Sequence, residues 1–133
     1  MTDPVLQPAG EVAIRTIAMP KDTNPNGDIF GGWLMSQMDM AGGTLAYRRA
    51  RSRVATVAVD GMSFLKPVFV GDEVTIYAHV IGTGRTSMRI FVEAWRRSRH
   101  DLHSQKVTEA TFVFVAIDEQ RRPVALPDEP QAC

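Results

Sequence analysis

Asn24-Pro25-Asn26-Gly27-Asp28-Ile29-Phe30-Gly31-Gly32-Trp33-Leu34-Met35-Ser36-Gln37-Met38-Asp39-Met40-Ala41-Gly42-Gly43-Thr44-Leu45 is the stretch on which the fold turns. It reads as a polar turn, a glycine pair that opens a helix, and a helix almost wholly apolar apart from one carboxylate, Asp39. Phe30, Leu34, Met38, Ala41 and Leu45 recur at the steps of a helical period, and Trp33, Met35 and Met40 widen the apolar face. Such a helix belongs in a core. Asp28 or Asn26 is placed to cap its start, and Gly31 and Gly32 leave the first turn open to the close approach of a ligand. Asp39 follows Gly32 by seven residues, close to two turns, so the two project to one side together with Ser36, Gly42, Gly43 and Ala46. An ionised carboxylate in apolar company is costly to desolvate unless it is paired or chemically employed. Asp39 is therefore either a functional acid or a side chain tied to an arginine or a subunit interface.

Working outward, Glu11 to Ala18 alternates as a first strand that ends at Met19-Pro20. The basic run from Arg48 to Arg53 suits a helix C-terminus. Arg53 to Asp60 is a valine-rich strand that Ser63 to Leu65 continues past a bulge at Gly61. After the punctuated connection from Lys66 to Asp72, Val74, Ile76, Ala78 and Val80 alternate with Thr75, Tyr77 and His79. Gly82-Thr83-Gly84 turns the chain into a returning strand in which Met88, Ile90, Val92 and Ala94 alternate. Arg96 to Ser104 is charged and turn-like, Gln105 to Ile117 is a long strand apolar on both faces, and the tail from Asp118, with three prolines, is expected to fray.

One long helix and these strands predict an α+β domain, a mostly antiparallel five-stranded sheet with the helix laid against one face. It occupies residues 11–118, between a flexible arm of residues 1–10 and a proline-rich tail of residues 119–133. A single helix cannot cover such a sheet on both sides, so the remaining apolar surface predicts an oligomer.

Composition narrows the partners. With 133 residues, one domain is expected. Fifteen basic and fifteen acidic residues cancel, which argues against nucleic acid and against an anionic membrane surface. The sole cysteine, Cys133, is the last residue, so no disulfide forms within the chain and a reducing compartment is suited. The first ten residues lack a charged start and an apolar run, no stretch reaches membrane-spanning length, and a cytoplasmic location is the expectation.

Other chemistry is thinly represented. There is no Gly-x-Ser-x-Gly elbow, and Cys133 has no preset base. Asp22, Asn24, Asn26 and Gly27 imitate the opening of a calcium loop, but Trp33 stands where the bidentate Glu belongs and Pro25 interrupts the pattern, so turn and cap chemistry is the better reading and no metal is expected. His100 and His103 lack partner ligands, and His79 reads as a surface or interface residue. Arg48, Arg49, Arg51 and Arg53 suit a solvated helix end, although a nucleotide phosphate could use one of them. Arg85-Thr86-Ser87 after the hairpin glycines is the better candidate for phosphate contacts, with an ordinary strand start as the alternative. Gly82 and Gly84 lack the third glycine of a dinucleotide fingerprint.

Ala18-Met19-Pro20, the block from Asp22 to Asp39, Val59 to Val68 (Val-Asp-Gly-Met-Ser-Phe-Leu-Lys-Pro-Val) and Val70-Gly-Asp-Glu-Val74 closely resemble bacterial acyl-coenzyme A thioesterases of the YciA type, in the hotdog-fold superfamily. The likeness runs from about Glu11 to Pro127. It implies a sheet that wraps the long helix, two subunits joining their sheets, and assembly of homodimers into a hexamer, a trimer of dimers. It also implies hydrolysis of acyl-CoA to free acid and CoA, with broad choice over short and medium chains that extends to long ones. The catalytic Asp of the family maps onto Asp39 and its turn Asn onto Asn24, supplied by the facing subunit, and the amides at Gly31 and Gly32 polarise the thioester carbonyl. The resemblance further implies that Ser63, Phe64 and Lys66 line the pantetheine tunnel, with core packing as the other reading of Phe64. No cofactor is implied, since CoA is part of substrate and product. The helix lacks the histidine on which hotdog dehydratases rely. The alternative function is a non-catalytic hotdog module that binds or senses acyl-CoA.

Overall fold

The computed structural model describes residues 7–129. Cys133, residues 1–6 of the expected arm and the last four residues of the tail lie outside the described residues.

Strict alternation makes one face of the sheet apolar. Val74, Ile76 and Ala78 of β3 (Glu73–Thr83) and Met88, Ile90, Val92 and Ala94 of β4 (Ser87–Arg97) are fully buried. Phe112, Phe114 and Ala116 of β5 (Gln105–Ile117) continue the same layer. β1 (Glu11–Ile17) and β2 (Arg53–Phe64) complete an antiparallel sheet in the order β1-β3-β4-β5-β2. The helix α1 (Gly31–Ala50) lies across this apolar face and buries Leu34, Met38, Ala41, Leu45, Ala46 and Ala50 against it. Burial of Leu34, Met38 and Leu45 stabilises by about 1.5–3 kcal/mol each, which is why the helix forms here despite four glycines. The expected α+β layering is thus the observed one.

The expected bulge is also present: Gly61 has φ +68°, and the β2–β5 register shifts between Asp60 and Ser63. β3 runs through Gly82 to Thr83 and β4 begins only at Ser87, so the turn is Gly84-Arg85-Thr86 rather than Gly82-Thr83-Gly84. A short 3₁₀ turn, Pro20–Asp22, has no counterpart in the sequence reading.

Three expectations are corrected. Phe30, not Asp28 or Asn26, occupies the helix N-cap, and among the described residues no side chain caps that end. The loop competes for those polar groups: Asn24 accepts two backbone bonds of its own turn, and the helix start is left open. The tail does not fray within the described residues. Pro123 bridges Ile117, the Val124 and Leu126 amides donate to the carbonyls of Ala116 and Arg85, and both side chains pack on the core. The last residues of the arm are likewise held, since the Ala9 amide donates to Glu93 Oε2 at 2.8 Å. Glu93 is buried and pairs with Lys106, which also bonds Glu109. Burial works against the Lys106 ammonium, but the hydrogen bonds and charges of the two carboxylates more than offset it, and its pKa is raised.

Small residues on α1 serve packing. A Cβ at Gly42 would meet the Phe114 ring at 3.0 Å and Val92 at 3.4 Å. Gly42→Val is therefore expected to lower stability by about 1–3 kcal/mol through overpacking, read as a fall in Tm.

Candidate active site

Asn24 sits in a loop that its own side chain closes. Its carbonyl accepts from the Gly27 amide at 2.9 Å and its amide donates to the Asp28 carbonyl at 2.7 Å. Pro25 presets the turn, and Gly27, at φ +88°, supplies the left-handed residue that returns the chain. Asn24 Oδ1 accepts from the amides of Asn26 at 2.9 Å and Asp28 at 3.1 Å. With that oxygen committed, the group Asn24 can offer outward is its NH2. Asp22 is turned to its own loop in the same way, accepting from the Met19 amide, which is the turn chemistry expected of the calcium-like residues.

Asp39 lies two turns into α1, half-buried, where the helix passes over β2. Thr56 Oγ1 donates to Asp39 Oδ1 at 2.6 Å. Together with Gly32, Met35, Ser36, Val59 and Phe112 they line a groove of about 350 Å³. The expectation that Gly32, Ser36 and Asp39 share one side holds. Gly42 and Ala46, placed on that side from sequence, instead face the core, because the helix is rolled so that its smallest residues meet Phe114.

Gly31 and Gly32 part company. Gly31 borders a second groove, of about 310 Å³, with Asn24, Phe30, Leu34, Phe64 and Lys66. A Cβ there would meet the Phe64 ring at 3.2 Å. At Gly32 a Cβ would meet nothing within 4 Å among the described residues, so this is the glycine that leaves the helix start open. The free first-turn amides and the positive end of the helix dipole are thereby accessible from the side of Asp39.

One chain does not bring all the expected residues together. Asn24 and Asp39 line different grooves. Phe64 and Lys66 stand with Asn24, whereas Ser63 is exposed on β2, where its carbonyl accepts from Thr108, and lines neither groove among the described residues. Arg85-Thr86-Ser87 lies at the Thr56 end of the sheet, since Phe114 pairs with both Met88 and Thr56, and is far from the groove of Asn24 and Phe64. The β-register places Met88 opposite Phe114 and Ala94 opposite Thr108, which pairs with Phe64, so the hairpin and Phe64 lie at opposite ends of the sheet, about 20 Å apart at the usual rise per residue. Backbone bonds already engage the tripeptide: its carbonyls accept from Leu126, Ala116 and Gly84.

Thr56 is the site residue that sequence reasoning missed. It is one polar residue in the valine-rich β2, and only the crossing of α1 over β2 brings it to Asp39, so no local spacing announces it.

The Thioesterase superfamily model matches residues 26–102 of the chain. The chain is 52% identical to the acyl-CoA thioester hydrolase YciA of Escherichia coli, over 92% of this chain and 95% of that protein. Among solved structures it superposes on the hexameric thioesterase y2039 from Yersinia pestis with a TM-score of 0.89 at 52% identity, covering 92% of this chain and all of that one. It also superposes on HI0827, a hexameric broad specificity acyl-coenzyme A thioesterase, with a TM-score of 0.88 at 49% identity, covering 93% and 86%. HI0827 has also been solved as a mutant in which one aspartate is replaced by alanine.

Proposed function

The chain belongs to the Thioesterase superfamily, with the hotdog fold, and from that premise we propose that it hydrolyses acyl-CoA thioesters to the free acid and CoA through a site that two copies complete. The observation that carries this reading is the setting of Asp39: one oxygen is held by Thr56, and the carboxylate shares its groove with the open glycine of an uncapped helix start. Thioester hydrolysis needs a group to activate water or to attack the carbonyl, and donors for the oxygen that gains charge. Asp39 supplies the first, either as general base or as nucleophile. The first-turn amides near Gly32 supply the second, and a donor of this kind is worth roughly 3 kcal/mol.

Asn24 enters from the other subunit. β2 is a sheet edge of 12 residues, and its outer side has room for an antiparallel copy of itself. If two β2 strands pair around Asp60, symmetry sets Phe64 of each opposite Thr56 of the other. The groove that holds Asn24, Phe64 and Lys66 then adjoins the groove that holds Asp39. Asn24 of the partner subunit presents its NH2 to the carbonyl or to the attacking water, and Lys66 of the partner subunit lies at the mouth for a CoA phosphate. Met35, exposed at the Asp39 groove, is an adaptable wall that suits broad acyl choice. Exposed Phe30, Leu65, Phe69 and Val70 provide further apolar surface for assembly of three such dimers into a hexamer, as in the hexameric relatives.

The direct test is thiol release from short, medium and long acyl-CoA esters; no release from any ester by the folded oligomer would sink the reading. Thr56 positions Asp39 rather than touching substrate. Thr56→Val, which keeps the shape and removes the donor, is expected to lower kcat roughly tenfold, the scale of one hydrogen bond to a charged group. Thr56→Ser should restore most of it, and an unchanged kcat in the valine variant would remove Thr56 from the mechanism.

A further inference from the structure

The groove that holds Asp39 contains a second hydroxyl besides that of Thr56, on Ser36. Ser36 lies three residues before Asp39 on α1, so the two share a side with Cβ atoms about 5–6 Å apart. Side chains on a helix lean toward its N-terminus, which carries the Asp39 carboxylate over the turn that bears Ser36. Ser36 is exposed and Asp39 half-buried, so both are within reach of a molecule in the groove.

Their bonding is complementary. Thr56 donates to Oδ1 of Asp39 at 2.6 Å and leaves Oδ2 without a partner among the described residues. Serine and threonine inside a helix often turn their hydroxyl back onto the carbonyl four residues earlier. Thr44 does so, donating to the Met40 carbonyl at 3.0 Å. The Ser36 hydroxyl makes no such bond to Gly32, and no other among the described residues. A solvated serine on a helix surface is the ordinary explanation, and for a single chain it suffices. It no longer suffices in the dimer, where paired β2 strands set Phe64 of the partner subunit opposite Thr56 and close the groove from bulk water. A hydroxyl and a carboxylate oxygen withdrawn from solvent each need a hydrogen-bond partner. One water fits between two oxygens at this spacing and serves both.

We propose that Ser36 is a further catalytic residue, the group that holds the attacking water together with Oδ2 of Asp39. This rests on the hydrolase reading and on the dimer that completes the site. The water donates one hydrogen to Asp39 and the other to Ser36 Oγ, which turns its lone pair toward the thioester carbon. As the new C–O bond forms, the first proton passes to Asp39, and the carbonyl oxygen takes up negative charge opposite the first-turn amides near Gly32. The C–S bond then breaks, the electron pair leaves with sulfur, and the proton on Asp39 follows it. One water and one thioester thus give one acid and one thiol. Ser36 is unchanged at the end; its part is to fix the direction of attack.

The test is steady-state thiol release from short, medium and long acyl-CoA esters by the full-length oligomer. Ser36→Ala and Ser36→Thr are made in wild type, and Ser36→Ala is made again in Asp39→Ala, where the residual rate is read at high enzyme concentration. Ser36 is exposed and alanine favours a helix, so folding is not at stake. Ser36→Ala is expected to lower kcat roughly tenfold at unchanged KM, and Ser36→Thr, which keeps the hydroxyl, to recover most of the loss. In the Asp39→Ala background the alanine substitution should change nothing further, because a water held for a base has no role once the base is gone. Full kcat in Ser36→Ala would overturn the role. So would a loss that persists without Asp39 or that appears in KM, since either marks a packing or substrate-binding contact. Wild type that releases no thiol from any ester would instead overturn the hydrolase reading, and this inference with it.

Discussion

Asp39→Ala is expected to lower thiol release from acyl-CoA esters by about 10²- to 10⁴-fold, the usual share of a positioned acid or base, while leaving the oligomer assembled. The carboxylate is half-buried at the edge of the helix, and its described bond is to Thr56, so removing it leaves one hydroxyl to rotate to water rather than a buried charge unpaired. Stability should change little. Size-exclusion chromatography beside the thiol assay separates the two effects. A variant that keeps full turnover would refute the assignment of Asp39. Tight, stoichiometric binding of acyl-CoA by wild type without thiol release would favour a binding module instead.

The second large effect concerns ownership of the site. Asn24→Asp keeps the oxygen that closes the loop onto the Asn26 and Asp28 amides and replaces only the outward NH2. On its own it is expected to lose about 10²-fold or more, because a donor aimed at developing charge becomes an acceptor of the same sign. Mixed with Asp39→Ala, it should regain activity. In a two-fold dimer with sites shared between chains, random pairing makes half the dimers mixed, and each mixed dimer has one intact site of two, so about one quarter of wild-type turnover returns. If Asn24 and Asp39 of the same chain formed the site, two inactive chains would stay inactive together. Co-refolding the two variants and assaying thiol release decides between these outcomes.

Much of the fold was legible because it rests on periods. The helical spacing from Phe30 to Leu45, the alternation from Val74 to Ala94 and the glycine at the β2 bulge each carry their own signal. The carboxylate was legible because it violates the pattern around it. What escaped was set by contacts between elements. The roll of α1 that turns Gly42 and Ala46 to the core depends on Phe114, distant in sequence. The partnership of Thr56 with Asp39 depends on where the helix crosses β2. The tail read as fraying because its prolines block strand pairing, yet Val124 and Leu126 have apolar surface to bury and carbonyls of Ala116 and Arg85 to bond, and these outweigh the cost of ordering. The phosphate role of Arg85, Thr86 and Ser87 was argued from composition of the turn alone, and the register of the strands, which sets the hairpin level with Thr56 and far from Phe64, is not written in that tripeptide.

The edge strand β2 has a further consequence, for the newly made chain. It presents Val57 and Val59 exposed on a long row of open backbone groups, and such a row pairs with whichever strand arrives first. The bulge at Gly61 interrupts that row in its last third and favours a mate carrying the same interruption. Refolding yield should therefore pass through an optimum: strong dilution leaves chains solitary and sticky, crowding lets foreign strands win the race, and between them self-recognition prevails.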